Sequence, residues 1–212
     1  MTIHTPLAAD GAPSKCSRSQ RVLEAAASVF LKHGFSAAST DMIQQAAGVS
    51  KATVYACFPN KEALFEAVIE SECTRFAEAV RAVHLVQPDF ASRLRALGHA
   101  YLGLLLSERG LALYRVVVAE GPRFPKVART FYLSGPAMVY SMISEHLRKA
   151  VEDGQADVHT LGVERAARQF LSLLRGDAQI ECLTHPDARP SEAQQDAWVE
   201  AAVITFLRAF AV

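Results

Sequence analysis

The 212-residue chain carries 22 basic and 22 acidic side chains, half of its residues are hydrophobic, and it contains 11 Gly and 9 Pro. That length suits one large domain or two smaller ones, and the composition supports a buried core while excluding a disordered, collagen-like or disulfide-stapled chain. No apolar run approaches the roughly 18–20 residues needed to span a bilayer, and Met1–Ser14 has neither Lys nor Arg nor a long apolar stretch, so no membrane partner and no secretory signal are expected.

Zero net charge would argue against a nucleic-acid partner only if the charges were evenly spread. They are not: residues 1–61 hold six basic and three acidic side chains, whereas residues 62–212 hold 16 and 19. The basic side chains of the first part are Lys15, Arg18, Arg21, Lys32, Lys51 and Lys61. Cys16, Cys57, Cys73 and Cys182 lie 41, 16 and 109 residues apart without a CxxC pair, which suits a reducing, cytoplasmic location. Cys182 and His185 form a CxxH with no second ligand pair, so no metal site is expected; Cys182 reads as helix packing and His185 as surface. His99 and His146 read likewise as packing or surface residues.

In chain order, the first 17 residues lack periodicity and read as a mobile arm. From Arg18, the three- and four-residue spacing of Val22, Ala25, Ala26, Val29 and Phe30 predicts a helix that ends at Gly34. Ser39 is placed to cap a short second helix with Met42, Ile43, Ala46 and Ala47 on its apolar face, and Gly48 stops it. Ser50 caps a third helix running to about Phe58, where Pro59 forbids continuation. Asn60 caps a fourth, which turns Leu64, Val68, Phe76 and Val80 inward and fades near Gln87-Pro88. Helices follow from Asp89 to about Ser107, from Arg109 to Glu120, from Pro125 to Asp153 with a break at Gly135-Pro136, from about Gly162 to Leu183, and from Ser191 to Phe210. Ser191 and Gln194 are spaced as a capping box. Tyr114–Val118 has strand propensity but no partner strand, and reads as a buried helix. The fold class is all-α.

Residues 39–58 have the dimensions of a helix-turn-helix, whose second helix enters the major groove of DNA. At the start of that second helix stand Ser50, Lys51, Ala52 and Thr53: a cap, a cation, a small side chain that permits close approach, and a residue offering both a methyl and a hydroxyl. Tyr55 has the reach to meet a phosphate, and Lys61 adds a charge at the start of the next helix.

The run from Arg21 through His33-Gly34-Phe35, Ser39–Ile43, Ala47-Gly48-Val49-Ser50-Lys51-Ala52-Thr53-Val54-Tyr55, Phe58 and Lys61-Glu62-Ala63-Leu64 resembles the TetR-family DNA-binding domain almost position by position. The resemblance implies a flexible arm (1–17), a three-helix DNA-binding head (18–62) and an α-helical ligand-binding and dimerisation body (63–212). It assigns DNA contacts to Ser39, Lys51, Thr53, Tyr55 and Lys61 and core positions to Phe35, Ile43, Val49 and Phe58. Two positions depart from the family pattern: Cys57 stands where His or Tyr usually touches phosphate, and Gln44 where a small Ala is usual. Downstream, Arg115–Pro125, Phe131-Tyr132, Gly135-Pro136, Ala166–Gly176 and Thr205–Arg208 are similar to the AefR-like type of TetR C-terminal region. The expected activity is that of a ligand-responsive homodimeric repressor, bound to a palindromic double-stranded operator and released by a small apolar or amphipathic effector.

Candidate effector-lining residues are the large apolar groups of the body: Tyr101, Leu105, Tyr114, Phe131, Met138, Met142, Phe170 and Leu174. Arg115, in a strongly apolar segment, calls for an anionic partner: Glu120, Glu145 or a ligand carboxylate. The last two helices hold more apolar residues than one buried face needs, which nominates Leu173, Ile180, Trp198, Ala202 and Phe206 for a dimer interface, with Trp198 equally able to be buried within one subunit. No nucleophile–base pair, paired-carboxylate motif or metal cluster can be read, so no catalytic residue and no cofactor is expected. An enzyme or small-molecule carrier using the same helical cavity, or a helical adaptor without DNA binding, are the alternatives.

Overall fold

The computed structural model describes residues 15–82, 89–185, 187 and 189–212. Among them the chain forms ten helices: α1 Lys15–Ala37, α2 Thr40–Ala47, α3 Lys51–Cys57, α4 Lys61–Arg81, α5 Phe90–Leu105, α6 Glu108–Glu120, α7 Pro125–Ser134, α8 Pro136–Glu152, α9 Val163–Thr184 and α10 Glu192–Phe210. Extended pairing among the described residues is confined to an isolated bridge between Ala156 and Ala211. The all-α class therefore holds, and no described helix is long and apolar enough to cross a membrane.

Side-chain oxygens take up orphan amide hydrogens at the predicted helix starts. Ser39 Oγ accepts from the Met42 N–H at 3.1 Å, Ser50 Oγ from Thr53 at 3.2 Å, Asn60 Oδ1 from Ala63 at 2.7 Å and Asp89 Oδ1 from Ser92 at 2.8 Å. Ser191 Oγ likewise accepts from Gln194 at 3.2 Å, but the expected capping box is only half formed. The Gln194 side chain instead donates to Glu181 Oε1 at 3.1 Å, tying the start of α10 to the end of α9. Gly34 (φ 75°, ψ 172°) breaks the helical geometry where an end was expected, and residues up to Ala37 follow the break within α1. Helix α1 takes in residues 15–17 of the expected arm, the remainder of which lies outside the described residues. Helix α4 ends at Arg81, and the expected end at Gln87-Pro88 lies outside the described residues. Tyr114–Val118 lies wholly within α6, where Val116 and Val117 are buried and Val118 is exposed.

The chain divides into two compact units, one up to Val68 and one from Ile69. In the first, α1 packs on α2 and α3 around Phe30, Phe35 and Phe65, whose ring centroids lie 4.9–5.9 Å apart, with Val22, Ile43, Val54 and Leu64 completing the core. Ala46, expected on the inner face of α2, is exposed, and Phe58 is only half-buried.

In the second unit α10 packs on α5 and α9, and α8 packs on α9. Phe170 meets Phe206 edge-on at 5.2 Å between ring centroids, and Phe206 meets Phe210 at 4.8 Å. This packing corrects the interface expectation at two positions: Ala202 and Phe206 are buried inside their own chain because α10 spends its apolar face on α5 and α9. Trp198 and Leu173 are partly buried against the same core, while Ile180 is 63% exposed.

Arg115 also departs from expectation. Its guanidinium donates to the Cys182 carbonyl at 3.0 Å and reaches that of Leu183 at 3.5 Å, so a cation at the C-terminal end of α9 takes the place of a carboxylate pair. Glu72 is the buried acid of this unit, held by Arg109 through two hydrogen bonds of 2.5 and 2.7 Å and by Arg75. His99 faces Asp196 at 3.5 Å, and burial lowers the pKa of half-buried His146 below the usual histidine value.

Gly98 permits the close approach of three helices: a Cβ there would lie 2.9 Å from Val199 Cγ1 and 3.1 Å from Leu174 Cδ2. Gly98→Val should therefore overpack the body and destabilise it by about 1–3 kcal/mol, read as a lower urea midpoint with an unchanged slope.

Candidate nucleic-acid interface and body cavity

Helix α2 ends at Gly48 in the left-handed region (φ 62°, ψ 40°), a conformation that favours glycine. The Gly48 N–H donates to the Gln45 carbonyl at 3.2 Å and the Val49 N–H to the Gln44 carbonyl at 3.1 Å, closing the turn. From α1, Arg21 Nη2 donates to the Ala47 carbonyl at 2.8 Å, and a Cβ at Gly48 would sit 3.3 Å from the same nitrogen. The turn that sets α3 against α2 is thus held from a third helix.

Helix α3 anchors itself through buried Val54 and leaves Lys51, Ala52 and Tyr55 exposed. Lys51 Nζ pairs with Asp41 Oδ1 at 3.0 Å, and this hydrogen bond with its attendant charge raises the lysine pKa. The Ser50 and Thr53 hydroxyls lie 2.9 Å apart, so both are engaged at the cap. Tyr55, 45% exposed, lies within 3.3 Å of Thr40 Oγ1 through its hydroxyl. Lys61 Nζ sits over the Phe35 ring, 4.3 Å from its centroid, and shares a crevice with Thr40, Tyr55 and Asn60.

Ser39, Ser50, Lys51, Ala52 and Tyr55 are exposed, and Thr53 and Lys61 are half-buried. Asp41 and Thr40, which position Lys51 and Tyr55, were not singled out by the sequence. Each acts across the turn, at separations of ten and fifteen residues that no helical spacing rule reaches.

The second unit contains a cavity of about 80 Å³. Of the eight residues nominated for it, Tyr101, Leu105, Tyr114 and Phe131 line it. The other four do not. Met142, Phe170 and Leu174 are buried in the packed core, and Met138 is 40% exposed, with Arg81 Nη2 3.7 Å from its sulfur. Sequence reasoning missed Cys73 and Phe76 from α4, Leu113 from α6, Val139 from α8, and Arg175 and Gln179 from α9. Aromatic pairs shape the wall: Phe76 meets Tyr101 edge-on at 6.0 Å and Tyr114 meets Phe131 at 6.4 Å. Gly135 allows the wall to close, since a Cβ there would lie 3.3 Å from Cys73 Sγ.

Burial pushes the Tyr101 phenol up to about 12, outweighing the opposing charge of Arg175. Burial pushes the Cys73 thiol up to about 12 as well, with Glu72 and Glu70 adding to the effect. Both groups are therefore neutral in the folded protein at physiological pH. Their folded pKa values exceed the unfolded ones, so the unfolded state loses these protons first as pH rises. Stability should be intact below about pH 9 and fall progressively from there to about pH 12. Circular dichroism followed through alkaline unfolding should show this slope, shallower in a Tyr101→Phe variant.

A family model described as "Bacterial regulatory proteins, tetR family" matches residues 22–68, and one described as "AefR-like transcriptional repressor, C-terminal domain" matches residues 92–212. The HTH-type transcriptional regulator UidR of Escherichia coli (strain K12) is 30% identical over 169 residues, covering 77% of this chain and 82% of that one. The solved Flavonoid-responsive Regulator FrrA is 34% identical with a TM-score of 0.75, over 92% of this chain and 97% of that one. A solved chain from Mesorhizobium loti MAFF303099 shares the fold with a TM-score of 0.88 at 24% identity, over 95% of this chain and 100% of that one. These relatives are regulators rather than enzymes, and the chain belongs to the TetR family of transcriptional regulators, with an AefR-like C-terminal domain.

Proposed function

We propose that the protein is a homodimeric repressor whose two α3 helices enter successive major grooves of a palindromic operator, roughly 34–36 Å apart. The observation carrying this reading is the arrangement of α3: one buried anchor, Val54, with Lys51, Ala52 and Tyr55 open on the outside and the Ser50–Thr53 pair at its start. Lys51, Tyr55 and Lys61 take phosphates, Ser39 and Ser50 hold the ends of their helices while facing the backbone, and Ala52 and Thr53 meet base edges. The dimer forms through the outer faces of α9 and α10, where Ile180 and Ile204 are exposed and Leu173 and Trp198 are partly so.

The effector enters the body cavity and favours a conformer whose heads are wrongly spaced. A differential affinity of a few kcal/mol suffices to move the balance from mostly bound to mostly free. The aromatic lining suits an aromatic effector, and a relative 34% identical is named for its response to flavonoids.

Operator fragments selected from a random DNA pool should be palindromic, and affinity for them should fall steeply with salt in proportion to the phosphates contacted. Lys61→Ala should weaken binding to all sequences and lower the salt slope by about 1, whereas Thr53→Ala should mainly alter sequence preference. Asp41→Asn, which releases Lys51 from its ion pair and removes a negative charge beside the DNA, should tighten binding across sequences and steepen the salt dependence. Salt-insensitive binding without preference for a palindrome would sink this reading.

A further inference from the structure

We infer that the body cavity is built for an aromatic anion, whose carboxylate is taken by the Arg175 guanidinium and the Gln179 side-chain amide while its ring lies against Phe76, Tyr114 and Phe131. This inference rests on the effector reading of the cavity and gives that effector a chemical class.

Gln179 is 5% exposed, and its Nε2 is the one buried side-chain nitrogen or oxygen without a hydrogen-bond partner among the described residues. An amide N–H₂ stripped of water and left unpaired is costly, and an acceptor on a bound ligand would relieve that cost. Arg175 stands four residues before it on α9, and both line the cavity. Its guanidinium has neither an ion-pair nor a hydrogen-bond partner among the described residues, unlike Arg95, Arg109 and Arg115, each of which is engaged. A charged fork and an orphan amide directed into one space call for an acceptor that bears negative charge and has two oxygens.

The helix itself is shaped at this point. Gly176, between the two residues, has non-helical angles (φ −17°, ψ −108°) that kink α9. Tyr101 remains a neutral phenol beside them and offers a further donor.

Apart from the Cys73 thiol, the remaining lining is aromatic or aliphatic, which selects a flat apolar body for the ligand. The cavity of about 80 Å³ is small, but a second concavity of about 260 Å³ shares Phe76, Gly110 and Leu113 with it. The shared side chains Phe76 and Leu113 mark the side on which a ring larger than the present cavity would find added room.

The test uses the full-length chain with benzoate, trans-cinnamate and 2-naphthoate, each against its neutral methyl ester, followed by thermal shift and calorimetry. At least one acid should raise the melting temperature while its ester does not. Arg175→Gln should weaken that acid tenfold or more, with partial recovery in Arg175→Lys, which keeps the charge and loses the fork. Gln179→Leu should weaken the acid too, yet melt higher than the wild type without ligand because the orphan amide is gone. Equal shifts from acids and esters, no shift from any of the six, or full affinity in Arg175→Gln would overturn the proposal. A gel shift of the wild-type chain on its selected operator tests the regulator reading separately. Loss of DNA binding there with acid-specific stabilisation intact would defeat that reading and not the ligand class.

Discussion

Four amide hydrogens at the start of every α-helix have no partner within that helix, and in a chain made almost entirely of helices this shortage sets where each element begins. Ser39, Ser50, Asn60, Asp89, Ser107 and Ser191 each bring a side-chain oxygen to one of those hydrogens. Helices α7 and α8 meet the same demand differently, with Pro125 and Pro136 removing an N–H that would have gone unpaired. In the head this economy reaches the candidate interface. The Ser50 and Thr53 hydroxyls are committed to starting α3, so the groups proposed to meet DNA are also those that hold the reading helix in place. Substitution at Ser50 would therefore disturb geometry as well as contact.

The two units solve the packing problem with different materials. The head is small and relies on three phenylalanines in mutual contact, with Arg21 bracing the turn from outside the core. The body has long helices that approach closely at Gly98, while α9 bends at Gly176 and Gly135 lets α7 and α8 turn past Cys73. The cavity adjoins both irregularities: Gly135 lines it, and its polar residues Arg175 and Gln179 flank Gly176 on α9.

Net charge shows how an average can mislead. The chain is neutral as a whole, yet its first 61 residues are basic on balance. Structure then qualifies that surplus. Lys51 is paired with Asp41, Arg21 is spent on a backbone carbonyl, and Lys61 rests over an aromatic ring. Half of the head's six basic side chains are thus individually engaged. On the proposed reading, affinity depends on two such heads acting together and on the geometry that positions them.

Local chemistry was legible in the residues. Capping side chains, the glycine turn at Gly48, the proline breaks and the helical periodicity located nearly every element and the whole reading unit, because each is decided within a few residues along the chain. Legibility failed wherever the deciding partner lay far away in sequence. Phe170 and Leu174 have the character of cavity residues and Phe206 that of an interface residue, but which apolar face meets which depends on how α5, α9 and α10 pack. Arg115 found carbonyls nearly seventy residues distant instead of a nearby acid. Arg175 and Gln179 drew no notice in a helix read for its apolar stripe; only the tertiary structure shows them at the wall of a cavity. The residues alone were enough for the all-α class, most helix starts and the family. Tertiary packing decided which side chains remain free to bind, because burial and pairing are settled between helices and not within them.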